Sequence, residues 1–151
     1  MRKIVLLTFF VFTNLLIAQE SIDSIAKKSI WSLTYKDALQ LSKKEKKPLL
    51  VYFKGSDWCG PCKKLDQELF STEKFKHFSD NYFILYEADI PFNQDLVTKE
   101  RLELNKKLAK KFKVSSYPTL LVLNHKQKIL GVKKGLILTE YYYPFFENYI
   151  K

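Results

Sequence analysis

The chain is short of cysteine: its 151 residues hold only Cys59 and Cys62. That count excludes a framework of several disulfides. Histidine is as scarce, with His77 and His125 alone and far apart, so a four-ligand zinc site lacks its second pair at metal-binding spacing. No apolar run reaches the roughly 20 residues of a membrane-spanning helix. No internal repeat and no long Gly/Ser/Pro linker interrupts the chain, which predicts one globular domain.

Aromatic and basic residues are plentiful instead. Twelve Phe, nine Tyr and a hydrophobic share of 46% supply a core that a disordered chain lacks. A net charge of +10 suits acidic partners or anionic headgroups. Yet Lys106, Lys107, Lys110 and Lys111 recur at helical spacing beside Leu108 and Phe112, as on the wet face of an amphipathic helix. The first residues speak to compartment. Arg2 and Lys3 precede a mostly apolar Ile4–Ala18 broken by Thr8, Thr13 and Asn14, the pattern of a secretory leader. The leader is expected over residues 1–19, although Leu16 matches the cleavage pattern poorly; an uncleaved anchor is the alternative. No cysteine lies near residue 19, which speaks against a lipid-anchored start. Export predicts a periplasmic or secreted protein and argues against nucleic acid as a partner.

Beyond the leader, residues 20–30 read as a loose polar segment and 31–151 as the folded domain. Trp31, Tyr35, Ala38, Leu39 and Leu41 line one side of a helix over 31–46, which Lys47-Pro48 ends. LLVYF (49–53) and YFILYEA (82–88) are apolar runs of strand length, as in strands buried on both faces of a largely parallel sheet. Helical spacing follows over 59–70 and again from Thr72, with a break or bend near Ser71. A lysine-rich helix is expected from Asp95 to Lys113. TLLVLN (119–124) and KILGV (128–132) read as a hairpin. Residues 138–150 read as a closing helix that begins late or bends at Pro144. This order predicts an α/β fold, a mixed sheet with helices on both faces.

Three readings of Cys59-Gly60-Pro61-Cys62 compete. As a brace, a disulfide across so short a loop restrains little of the unfolded chain. As half of a metal site it lacks partners, and haem attachment wants histidine where Lys63 stands. As a redox pair it is well placed, because it lies where a buried strand gives way to a helix. The free N–H groups of a helix start favour an anion. A thiol pKa lowered from about 8.5 to about 7 puts roughly half of Cys59 in the reactive thiolate form. Cys62, one turn on, faces the same side. Gly60 permits the tight bend, and Pro61 suits a first helical turn.

Trp58-Cys59-Gly60-Pro61-Cys62-Lys63 resembles the active-site motif of the thioredoxin superfamily. Lys111–Leu121, with Tyr117-Pro118-Thr119 at its centre, resembles that family's cis-proline segment, and Gly135 resembles a glycine bordering its substrate groove. The similarity covers roughly residues 48–150 and looks most like exported bacterial thioredoxin-like proteins. It implies a thioredoxin-like fold and catalytic Cys59 and Cys62, with Trp58, Gly60 and Pro61 in support. It also implies that Tyr117, a cis Pro118 and Gly135 dock the substrate. Two departures stand out. Tyr52 falls where cytoplasmic-type members carry a buried carboxylate, which leaves the proton acceptor for Cys62 unassigned. Residues 91–103 look like an insertion that either lengthens the next helix or builds a partner-specific surface.

The expected function is thiol–disulfide exchange with exported protein disulfides, in the reducing direction that Gly-Pro between the cysteines resembles. No organic cofactor or metal is implied. A monomer is expected, with a membrane partner as its electron donor. The rival is a non-enzymatic module that holds a client or copper(I) through its thiols.

Overall fold

The computed structural model describes residues 29–32 and 34–150. The expected leader and residues 20–28 of the loose segment lie outside the described residues. Four strands form one sheet in the order β2-β1-β3-β4: β1 Leu49–Lys54, β2 Ile84–Asp89, β3 Thr119–Leu123 and β4 Ile129–Lys134. β1 runs parallel to β2 and antiparallel to β3, and β3 pairs antiparallel with β4. Five α-helices among the described residues, α1 Tyr35–Glu45, α2 Gly60–Leu65, α3 Glu73–Tyr82, α4 Lys99–Lys111 and α5 Tyr142–Glu147, complete a thioredoxin-like α/β fold.

Side chains alternate across a strand, so the apolar runs of β1 and β3 serve two cores. Leu50, Tyr52, Leu85, Leu120 and Val122 face one way, against α2, α3 and α5 through Cys62, Leu65, Phe75 and Phe146. Leu49, Val51, Phe53, Tyr86 and Leu121 face the other, against α1 and α4 through Tyr35, Ala38, Leu108 and Ala109. The first of these cores lies beneath the cysteine pair. β4 and β2 are the outer strands among the described residues; Ile129, Leu130 and Val132 of β4 are each about two-fifths exposed.

Helix ends follow their caps. Threonine hydroxyls at Thr34, Thr72 and Thr98 accept the N–H of Asp37, Phe75 and Arg101 and start α1, α3 and α4. Trp31 therefore precedes α1 instead of opening it, and Leu41 points to solvent. α2 continues through a π-helical turn, Asp66–Phe70, to the break at Ser71. A 3₁₀ turn, Thr139–Tyr141, precedes α5, which starts only at Tyr142. Pro144 is then in the first turn, where a missing N–H costs no helical bond. The lysines of α4 are exposed, while Leu102, Asn105, Leu108 and Ala109 are buried.

Candidate active site

β1 carries the chain to one end of the sheet and a turn returns it as α2, placing Cys59 at the helix N-cap. The Cys59 carbonyl accepts the N–H groups of Cys62 and Lys63, and its sulfur faces the Cys62 N–H at 3.2 Å. Cys59 and Cys62 are joined by a disulfide with their Cα atoms 5.2 Å apart. Both are buried, at 4% and 0% exposure, whereas Gly60 and Pro61 are exposed. Only the rim of the pair meets solvent.

Aromatic rings build that rim. Trp58 is 38% exposed and donates its Nε1–H to the Ile90 carbonyl at 2.9 Å. Its indole lies so close over Gly55 that a Cβ there would overlap the ring. Tyr117 meets Trp58 edge-on at 5.3 Å, and Phe92 stacks on it at 5.2 Å. The Tyr117–Pro118 peptide bond is cis, and Pro118 is buried. Gly135, at φ +73°, donates its N–H to the Pro118 carbonyl at 2.8 Å and accepts the Tyr142 hydroxyl at 3.1 Å. The structure thus gathers Cys59, Cys62 and Tyr117 around one core, sets Trp58 against Tyr117 and ties Gly135 to Pro118. His77 and His125 are exposed, on α3 and in the β3–β4 turn.

The segment read as an insertion divides. Residues 91–98 form a loop with a 3₁₀ turn, Gln94–Leu96, and the remainder opens α4. Asp57 holds the loop: its two carboxylate oxygens accept the N–H groups of Phe92 at 3.0 Å and Asn93 at 2.8 Å. The Asn93 N–H first, and that of Phe92 with it, keeps the Asp57 carboxyl below its ordinary range. Phe92, 77% exposed, is thereby fixed beside Trp58.

Sequence reasoning missed one group of charges. The Lys54 ammonium lies 2.8 Å from Asp66 Oδ2 and 3.1 Å from Glu87 Oε1. Burial alone would lower the Lys54 pKa, but Glu87 and Asp66 outweigh it and hold the ammonium above its ordinary value. Burial, aided by Asp66 and Asp89 against the pull of Lys54, raises the Glu87 carboxyl. Tyr52 stands beside them and donates its hydroxyl to the Cys62 carbonyl at 3.2 Å. Sequence offers one signal for this cluster: charged residues that end or interrupt otherwise apolar strands. The register that pairs Tyr52 with Glu87 is what brings them onto one face.

A model described as a thioredoxin-like domain matches residues 35–149. Two curated proteins of Chlamydia pneumoniae are similar to the chain. The thioredoxin-related protein DsbJ is 35% identical over 99 residues, 66% of this chain and 28% of the relative. The disulfide bond reductase DsbH is 31% identical over 107 residues, 71% of this chain and 64% of the relative. The match spans less than two thirds of either relative's length. Among solved structures, a DsbH oxidoreductase superposes with a TM-score of 0.70 at 28% identity, covering 78% of this chain and 81% of that one. A thioredoxin from Thermus thermophilus reaches 0.60 at 20% identity, with 76% and 82% covered, a likeness of fold alone.

Proposed function

The chain belongs to the thioredoxin-like domain family, and on that premise we propose that it is an exported thiol–disulfide oxidoreductase that reduces protein disulfides. One observation carries the reading: two buried cysteines share a disulfide at the start of a helix, under a rim of exposed aromatic rings. In the reduced form the Cys59 thiolate attacks a client disulfide and forms a mixed disulfide, and one client sulfur leaves as a thiolate. The Cys62 thiolate then attacks the Cys59 sulfur. The second client sulfur leaves, and the Cys59–Cys62 bond closes with the client reduced by two electrons. Trp58 shields one flank, Gly60 and Pro61 shape the turn, and Tyr117, Pro118 and Gly135 align the client backbone as an added strand.

The reducing direction is supported by Gly60-Pro61 between the cysteines and by a relative named a disulfide bond reductase. The leader expected over residues 1–19 supports export, to the periplasm or beyond. There a reductant has to draw electrons from a membrane partner. The working unit is a monomer.

Insulin reduction by dithiothreitol tests the reading: the protein speeds precipitation of the insulin B chain, and Cys59→Ala abolishes the effect. Cys62→Ala traps clients as mixed disulfides on a non-reducing gel. Binding of insulin without acceleration favours a non-enzymatic client-holding module, and free product release from Cys62→Ala sinks the two-step scheme.

A further inference from the structure

Single apolar side chains on a surface are ordinary, but the loop of residues 91–98 holds one with unusual firmness. Phe92, 77% exposed, is the most exposed large apolar residue among those described, and Leu96 in the same loop is about half exposed. Phe92 is nonetheless fixed from two sides. Both oxygens of the Asp57 carboxylate accept N–H groups at its root, its own and that of Asn93. Its ring lies on the Trp58 indole at an interplanar angle of 25°, and the indole is itself pinned by the Ile90 carbonyl. One face of Phe92 is thus covered, while the other meets solvent.

Little of the ring's area is buried by this, so the arrangement adds little to folding. It supplies preorganisation instead. An aromatic side chain already held still loses little further freedom when another apolar group settles on it. Its neighbours say where that group comes from. Trp58 touches both Tyr117, at 5.3 Å, and Phe92, at 5.2 Å, so the three rings form one surface from the rim of the cysteine pair out to the loop. At a strand rise of about 3.3 Å per residue, Phe92 lies within about three residues of the point where a client strand meets Tyr117. The Asp57 carboxylate is turned onto the loop's own N–H groups, so the outer end of this surface offers a client an apolar ring.

We propose that Phe92 determines specificity: its open face takes an aromatic side chain of the client that lies within about three residues of the client cysteine, a role that rests on the exchange reaction proposed above. Ring packs on ring in the offset or edge-on geometry that aromatic pairs favour. The contact forms before any bond is exchanged, so it speeds capture by Cys59 without altering the chemistry of either sulfur. Clients with a polar residue at that place are still reduced, but less readily. Asp57 is a positioning residue that acts through the loop.

Peptides with a single cysteine, capped as a mixed disulfide with thionitrobenzoate, carry Phe or Ser at each position within about three residues of it. Attack by the reduced full-length protein on the peptide sulfur expels coloured thionitrobenzoate, the better leaving group, and gives the rate of capture. At one or more of these positions Phe raises that rate roughly tenfold over Ser. Phe92→Ala brings the ratio to near one and Phe92→Tyr keeps it. Asp57→Asn, which frees the loop while leaving the ring in place, lowers it part-way. The exposed ring fills no core, so the Phe92 variants melt as the wild type does. A wild-type ratio near one at every position, or a preference that survives Phe92→Ala, overturns the role of Phe92 and leaves the exchange reaction standing. Absence of any thionitrobenzoate release overturns the exchange reaction, and client recognition with it. Sedimentation that shows a wild-type dimer which Phe92→Ala dissolves gives the ring to a second copy and overturns the proposal as well.

Discussion

At the scale of single residues the cysteine motif was legible from six consecutive letters, because spacing along one helix turn is a local property. The charges behind it were not. Lys54, Asp66 and Glu87 come from β1, the turn after α2, and β2, and only strand register brings them together. Their energetics set a prediction. Removing the ammonium leaves two half-buried carboxylates without a counter-ion, and a fully buried broken pair costs about 3–5 kcal/mol. Partial exposure of the carboxylates reduces this, so Lys54→Met loses about 2 kcal/mol at neutral pH in urea denaturation. Without Lys54 the carboxyls of the folded state bind protons more tightly than those of the unfolded chain. Stability therefore rises as pH falls toward the ordinary carboxyl values of about 4. The deficit narrows at pH 5; a deficit that stays constant argues against a charge origin.

Among elements, strands were the easiest to read and helix starts the hardest. Runs such as LLVYF announce burial on both faces, whereas a helix start is decided by one hydroxyl. Thr34 with Asp37 three residues on, and Thr98 with Arg101, mark starts that apolar spacing alone placed several residues early. The loop of residues 91–98 was legible as extra length but not as a prop for Trp58, since the anchor, Asp57, lies more than 30 residues upstream. That anchor makes the element pH-dependent in a defined sense. A carboxyl held below its unfolded value contributes fully above that value, about 3.9, and loses its contribution as pH falls through the lower folded one. In a Trp31→Phe background the emission of Trp58 thus stays constant from pH 7 to about 4 and changes only below. Asp57→Asn shifts the emission at neutral pH as well. An unaltered spectrum in that variant excludes the carboxylate as the anchor.

For the molecule as a whole, the sheet separates two cores with different composition. The α1/α4 side is mainly aliphatic with Tyr35, Phe53 and Tyr86. The opposite side is rich in rings: Phe146, fully buried, neighbours Phe75, Phe78, Phe83, Tyr142, Tyr143 and Phe145. The terminal cluster of aromatics therefore fastens α5 to α3. Phe146→Ala leaves a cavity at the centre of this cluster and lowers unfolding free energy by about 3–5 kcal/mol, measured by denaturant titration. A loss below about 1 kcal/mol excludes Phe146 as the keystone of that core. The outer strand β4 has a different consequence. Its apolar residues Ile129, Leu130 and Val132 sit between Lys128 and the pair Lys133 and Lys134, so two copies approaching edge to edge meet like charge before they meet backbone. Mutual repulsion, not shape, then keeps stored solutions clear. Salt that shortens the screening distance, or acetylation that erases the ammonium groups, removes the guard against fibre-like stacking.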